Sequence, residues 1–502
     1  MACILDKIKA PHKGDIEFFM IKELCMSENK LQAIILAAGR STRFNTGKSK
    51  LAEKICGQEM VLYATTLLEK LHIDTTVVVG HDRESIQEII TRRHGSSISF
   101  EIQSEQKGTG HALFCTKDRW DAEHILVING DTPLITQAFI TQLIDTHTQT
   151  NAAITFIIAH NTDPELKGYG RIITDDTSVT IVEAKEYEQF KEEACCINAG
   201  IYIFKKSFLE DNIHKLEQSI ITKELYITDL IKIASDQELM VKTVNAPFDT
   251  IRGVNDFKEL WAVEQIKRSS LITYWMEQGV RFHAAQNVHI DVDVMIGAGS
   301  HISSGVNLLH GSRIGTNCHI EPFSIISNTT IGNNVTIFAH SVITDSTIHN
   351  SCQIGPFAHI EGNSIIEEKS IIGNFVQVKK SSIGKQSKAK HLTFLGNAIV
   401  GNKVNVGAGT ITCNYDGVNK HATVIKDEVF IGSNNTLVAP LTIEKESYTA
   451  AGSVITNHVP PASLAIGRAR QINKEGYAKK IKDRTDSPFI AAVKTTKSIE
   501  GA

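Results

Sequence analysis

Two different periods run along this chain. From Gln32 to about Val254, short apolar runs alternate with amphipathic stretches: AIILAA, TTVVVG, ISFEIQ, HILVING, AITFIIA, RIIT and CCINAGIYIF read as strands, and MVLYATTLLEKL and DRESIQEIITRR as helices between them. Such alternation predicts an α/β unit, a mostly parallel sheet with helices on both faces, whose ligands bind beyond the carboxyl ends of the strands. Residues 253–278, GVNDFKELWAVEQIKRSSLITYWMEQ, contain no proline and only the initial glycine, which predicts one long helix joining two domains. Beyond it an aliphatic–glycine pair recurs, at Ile314-Gly315, Ile331-Gly332, Ile354-Gly355, Ile372-Gly373, Ile383-Gly384, Val400-Gly401 and Ile431-Gly432. Aliphatics return every sixth position, as in Ile354, Ile360, Ile366 and Ile372, or Ile431, Leu437 and Ile443. A period of six fits neither a helix nor a half-buried strand; it predicts hexapeptide repeats wound into a parallel β-helix, with the aliphatics inside a prism. Flat-sided prisms pack against one another, so by analogy a homotrimer is expected.

The segment ILAAGRSTRFNTGKSK, residues 35–50, follows the first strand and carries the cations Arg40, Arg43, Lys48 and Lys50. It resembles two phosphate-binding motifs and satisfies neither. Seven residues separate Gly39 from Gly47, where a P-loop has four, and Gly39 stands alone where a dinucleotide fingerprint needs three glycines.

At 502 residues the chain is long enough for two or three domains. Its formal charge of -4 favours neither nucleic acid nor an anionic membrane as a partner. Nine cysteines without a C-x-x-C pair suggest neither a disulfide framework nor a zinc ribbon and fit a reducing cytoplasm, with Cys195 and Cys196 expected as core thiols. No secretory signal is recognisable, and the first strand begins only at Leu31, so that Met26 is an alternative start. The expected organisation is an extension (1–30), an α/β domain (31–252), a helical linker (253–280), a β-helix (281–470) and a solvated basic tail (471–502).

LAAGRSTRF followed by Lys50, then QKGTGHA, NGDTPL, GYGRI, INAGIY, LYITD and GVN in this order, resemble the sugar-nucleotide pyrophosphorylases. Joined to a hexapeptide β-helix carrying GNFVQVKK, KAKHLTFLG, NVGAGTITCNYDGVNK and FIGSN, the chain resembles the bacterial bifunctional N-acetylglucosamine-1-phosphate uridyltransferase/glucosamine-1-phosphate acetyltransferase family. The resemblance implies a Rossmann-like nucleotidyltransferase domain followed by a left-handed β-helix. It also implies acetyl transfer from acetyl-CoA to glucosamine 1-phosphate and uridylyl transfer from UTP to N-acetylglucosamine 1-phosphate, with Mg2+ as cofactor. By the same resemblance, Arg43 and Lys50 act on the triphosphate. Leu36, Ala37, Ala38 and Gly39 contact the nucleotide, and Gln103, Gly108 and Thr109 surround the uracil. Asp131 and Asn255 hold the metal. Gly170, Glu183 and Asn198 hold the amino sugar, and Asn129 stands where some members have tyrosine.

In the second half the resemblance makes His391 the general base, a role suited to a side chain titrating near neutrality. It makes Lys379 a contact to the acceptor phosphate, and Asn405 and Asn414 contacts to the sugar. Ala408, Asn414, Tyr415, Ser433, Ala451 and Arg468 fall around acetyl-CoA, with Lys420 reaching the same molecule. Two positions depart from the pattern. Glu361 stands where an arginine helps bind the acceptor phosphate, and Phe394 where a tyrosine is usual. A raised acceptor KM is therefore expected, with Lys379 retained and His359 as a substitute cation. The alternatives are a uridylyltransferase whose β-helix serves assembly or has impaired acetyl transfer, and a non-catalytic scaffold.

Overall fold

The sequence LQAIILA forms β1 (Leu31–Ala37), in which Ala33, Ile34 and Ile35 are all fully buried. Consecutive burial, rather than alternation, marks a strand covered on both faces, as a central strand of a parallel sheet must be. The computed structural model describes residues 30–44, 47–160, 168–174, 179–187 and 196–482. The chain divides into two units at Thr329 and Thr330.

In the first unit, a short hairpin of β2 (Lys54–Ile55) and β3 (Gln58–Glu59) follows β1. Then come β4 (Asp74–Val79), β5 (Ser99–Ile102), β6 (His124–Asn129), β7 (Ile154–His160), β8 (Arg171–Thr174), β9 (Val179–Val182), β10 (Cys196–Lys205) and β11 (Val241–Asn245). The main sheet runs β11-β7-β10-β6-β1-β4-β5. It is parallel except that β10 lies antiparallel to both β6 and β7. One apolar cluster, including Ile35, Leu68 and Ile128, covers one face, and a second, including Ile34, Val127 and Phe204, covers the other. The two helices read from sequence are Val61–Lys70 and Arg83–His94.

The long helix expected from residue 253 runs Phe257–Glu277 and lies within the first unit. Asp256 caps it by accepting a hydrogen bond from the Glu259 amide at 2.8 Å, which leaves Gly253 to Asn255 outside the helix. The first prism coils follow: Arg281–Phe282 pairs with His301–Ile302, and His289–Ile290 with Asn307–Leu309, all parallel.

The second unit is built of a three-faced repeat, its strands distributed over three parallel sheets in the arrangement of a left-handed β-helix. Ile354, Ile360, Ile366 and Ile372 are each fully buried, as are Ile431, Leu437 and Ile443. Register partners stand 17 or 18 positions apart, as in Ile366 with Ile383 and Ile360 with Val378. Val400 instead pairs with Ile425, so a loop around Asn414–Lys420 is extruded from the coil.

Cys196 is not a core thiol: it is half-buried at the margin of its cluster, with its Sγ 3.2 Å from His160 Nδ1. Cys195 lies outside the described residues, as do residues 1–29 and 483–502. The described part of the tail ends in a short exposed helix, Tyr477–Lys482.

Candidate active sites

The first site forms where β1 ends. Gly130 donates its amide to Leu36 O at 3.0 Å and His81 donates to Ala38 O, so Leu36, Ala37 and Ala38 are pinned on both sides while Gly39 faces open space. The Thr42–Phe44 turn buries Phe44 and leaves Arg43 exposed. Its guanidinium lies within 3.4 Å of where a β-carbon on Gly168 would stand. Lys50 opens the next turn, its amide donating to Ser41 Oγ at 2.9 Å, while the preceding amide of Ser49 donates to Asp82 at 3.0 Å. From that fixed base the Lys50 ammonium donates to Asp131 Oδ2 at 2.5 Å and to Asn255 Oδ1 at 3.1 Å. Asp131 and Asn255 are themselves held together, because Val254 N donates to Asp131 O at 3.0 Å and Gly253 N donates to the Tyr169 hydroxyl at 2.9 Å.

One carboxylate and one amide oxygen, already sharing one cation, are hard donors that suit a divalent ion taking its remaining ligands from phosphate oxygens and water. Among the described residues no three His, Cys, Asp or Glu side chains cluster as a metal site built from protein alone. The donor set therefore fits an ion that arrives with a phosphate ligand.

Beside this centre, the buried Gln103 donates to Gly108 O at 3.0 Å and lies 3.0 Å from His111 Nδ1. Gly108 has φ +103°, and a β-carbon there would stand 2.4 Å from Leu225 O, so no side chain fits. Thr109 Oγ1 accepts from Ile227 N at 3.1 Å. Arg40 donates to Gln106, and Gln106 to Gln103 O, closing a chain of contacts that the sequence did not disclose. Asn198 N donates to Gly170 O at 2.9 Å, and its side-chain amide reaches the Tyr202 hydroxyl at 2.6 Å. Asn129 fills the space over Gly200, where a β-carbon would stand 2.1 Å from its Nδ2. Glu183 accepts from Thr228 at 2.8 Å, and burial pushes its carboxyl above the usual range.

The second site lies in the second unit. His391 ends the strand Lys388–His391 in register with Asn374 of the preceding coil, and its Nδ1 stands 2.7 Å from Asn374 Oδ1. An amide oxygen only accepts, so Nδ1 is the donor in this contact and Nε2 is left outside it. Asn374 was not singled out from the sequence; only the coil register brings it to His391. Next on the chain, Phe394 stacks in register with Gln377, and Lys379 stands in register with Glu361 and Gly396.

Lys379 is paired within the chain. Its ammonium donates to Glu361 Oε1 at 3.1 Å, Gln377 donates to the same oxygen at 2.9 Å, and His359 Nδ1 stands 4.0 Å away. His359, expected as a substitute cation, thus faces the carboxylate. Burial raises the Glu361 carboxyl, but the hydrogen bonds from Lys379 and Gln377 outweigh it and hold the group below its usual range.

The remaining residues fall elsewhere on the prism. Asn405 is in register with Lys388 and Phe430, on another face from Lys379. Asn414 donates to Asn397 at 2.7 Å at the root of the extruded loop, in which Tyr415 and Lys420 form a backbone bridge and the Tyr415 hydroxyl donates to Gly417 O. The loop is staked by Asp416, which accepts from the Asn419 and Val418 amides and from His421; these bonds, Asn419 first, pull its carboxyl to about 2. Ala408 O accepts from Asn434 N, Ser433 O from Gly452 N, and Ala451 O from the Arg468 guanidinium at 2.7 Å, so these four positions follow one edge down successive coils.

Comparison with known proteins agrees with both halves. The MobA-like NTP transferase domain family matches residues 33–186, and the GMPPB C-terminal domain family matches 281–369 and 342–455. The bifunctional protein GlmU of Koribacter versatilis is 38% identical over 91% of this chain and 98% of its own length. That of Exiguobacterium sibiricum is 39% identical over 89% and 99%, and that of Geotalea uraniireducens 40% over 90% and 100%. Shared identity that runs the length of both halves, sheet and prism alike, leaves one conclusion: this chain belongs to the family of bifunctional GlmU proteins.

Proposed function

We propose that the chain makes UDP-N-acetylglucosamine in two steps, each in its own site. The observation that carries the reading is the convergence of Lys50, Asp131 and Asn255 at the carboxyl edge of the sheet, beside an open loop. In the uridylyl step a phosphate oxygen of N-acetylglucosamine 1-phosphate attacks the α-phosphorus of UTP, and the bond to the β-phosphate breaks to release pyrophosphate. Positioning and charge neutralisation are the main demands of phosphoryl-type transfer. Arg43 and Lys50 supply fixed positive charge, the amides of Ala37 to Gly39 line the phosphate path, and Gln103, Gly108 and Thr109 form the base pocket. Gly170, Glu183, Asn198 and Asn129 orient the sugar. A divalent ion, Mg2+ in this reading, would be held by Asp131 and Asn255 and would supply further charge neutralisation.

In the acetyl step the amine of glucosamine 1-phosphate attacks the thioester carbonyl of acetyl-CoA. His391 Nε2 takes the amine proton, the carbon–sulfur bond breaks, and the coenzyme leaves as its thiol. Asn374 keeps the imidazole in the required tautomer. Lys379, Phe394, Asn405 and Asn414 surround the acceptor; Ala408, Tyr415, Lys420, Ser433, Ala451 and Arg468 lie along the coenzyme. A homotrimer of prisms in the cytoplasm completes the proposal; among the described residues no helix is long and apolar enough to cross a membrane.

The relatives named bifunctional span both halves, which disfavours the single-activity alternative. Incubating the protein separately with each substrate pair tests the reading: pyrophosphate should appear from UTP and N-acetylglucosamine 1-phosphate, and free thiol from acetyl-CoA and glucosamine 1-phosphate. Equal pyrophosphate release in excess chelator would sink the metal assignment.

A further inference from the structure

On one face of the prism, three successive rungs stack in register: His359 and Glu361, then Gln377 and Lys379, then Phe394 and Gly396. Parallel coils hold these side chains at fixed spacing, so what each rung offers a ligand is set by its neighbours. The middle rung offers one cation and one amide donor, and both are spent on Glu361 Oε1, at 3.1 and 2.9 Å. The rung above adds His359, turned to the same oxygen at 4.0 Å. The rung below adds an aromatic ring and a glycine, with no charge. Several donors converging on one anionic oxygen is what a phosphate oxygen would receive. Here the chain supplies the oxygen itself. The Glu361 side chain is only 22% exposed and that of Lys379 37%, so the pair is partly shielded from water and an incoming anion meets a carboxylate rather than a free ammonium.

We propose that Glu361 is a resident anion that sets acceptor specificity: by occupying Lys379 and Gln377 it removes the phosphate as a handle, so the acetyl site selects an amino sugar with little regard to its anomeric phosphate. This rests on the reading of the second unit as an acetyltransferase with Lys379 at the acceptor. An anionic acceptor must either displace Glu361 or bind beside it against like charge, whereas an uncharged amino sugar pays neither penalty.

The test compares glucosamine 1-phosphate with glucosamine as acceptors, following thiol release from acetyl-CoA in the full-length protein. The unmodified protein should favour the phosphorylated sugar in kcat/KM by no more than about tenfold, the equivalent of one weak contact. Glu361→Gln keeps the shape and removes the charge. It should raise that preference about tenfold or more through a lower KM for the phosphorylated sugar, leaving the values for glucosamine and the thermal unfolding midpoint unchanged. Added to Glu361→Gln, Lys379→Met should cancel the gain, because the gain runs through the freed Lys379 ammonium. The inference is overturned if the unmodified protein already prefers the phosphorylated sugar about a thousandfold and Glu361→Gln leaves or lowers that preference. Release of thiol with neither acceptor, from either protein, overturns the inference together with the acetyltransferase reading beneath it.

Discussion

The two candidate sites mirror one another in charge. In the first, a cation of the chain, Lys50, sits between Asp131 and Asn255, where oxygens suited to a metal converge. In the second, an anion of the chain, Glu361, sits among donors suited to a phosphate. The difference lies in how each resident is attached. Lys50 hangs from a pinned backbone by a long flexible stem, and in the proposed function a triphosphate would offer its ammonium a new partner and draw it away. Glu361 is stacked by the coil register itself, and an arriving anion offers it nothing. A resident that the substrate attracts primes a site; one that it repels restricts it.

The comparison breaks most sharply at Asp131. Asp131→Ala removes the carboxylate on which both Lys50 and the metal reading depend. Pyrophosphate release should fall by about a thousandfold or more while thiol release persists, given the size of electrostatic contributions in such sites; loss of both activities together would point to misfolding. Lys50→Met comes next. Uridylyl transfer should drop on the order of a hundredfold. With the competing ammonium gone, the nucleotide-free protein should bind Mn2+ about tenfold more tightly, read by titration, since like charge no longer opposes the ion. Unchanged Mn2+ binding would remove Lys50 as a placeholder and end the mirror relation. In the second site, Asn374→Ala should lower kcat for acetyl transfer about tenfold with KM unaltered, as expected for a residue that fixes a catalytic tautomer. A change confined to KM would instead make Asn374 a substrate contact.

The smallest effect concerns the scaffold of the first unit. His147 is buried, with Nδ1 2.8 Å from Thr155 Oγ1 and Nε2 3.1 Å from His124 Nδ1, and burial followed by the charge of His124 lowers its pKa to about 3. Burial lowers His124 as well. A base depressed in the folded state leaves the unfolded chain holding more protons, so stability is full above the ordinary histidine value and falls as pH drops below about 6.5. The unfolding midpoint should fall between pH 7 and pH 5, and His147→Gln should flatten that slope. A midpoint indifferent to pH in this window would contradict the assignment.

Periodic burial made both architectures readable before any coordinates. The runs around Ile34 and Ile35 are apolar on both sides because helices cover both faces, and the sixfold aliphatics are those that fill the prism. Boundaries set by side-chain caps were less visible. Asp256 begins the linker helix four residues later than its apolar spacing suggests, because the cap, not the spacing, decides where helical hydrogen bonds start. Lys50, Asp131 and Asn255 could be named by resemblance, but their convergence depends on the backbone bond between Val254 and Asp131. Asn374 lay beyond reading altogether, since its partner His391 is one coil away and only the local register says which outward residues meet. Glu361 could be flagged as a departure; that it captures Lys379 follows from stacking, which a linear alignment does not express.

The extruded loop behind Val400 shows what kind of object the prism is. Adding residues to a globular core shifts whatever packs downstream, but a screw keeps its pitch when a bight of thread is drawn sideways out of one turn. Val400 and Ile425 still meet on the same face, and the ladder resumes with Ile431, Leu437 and Ile443 fully buried. The coil can therefore lengthen at Asn414–Lys420 and acquire new contacts there, while the thread above and below stays in phase.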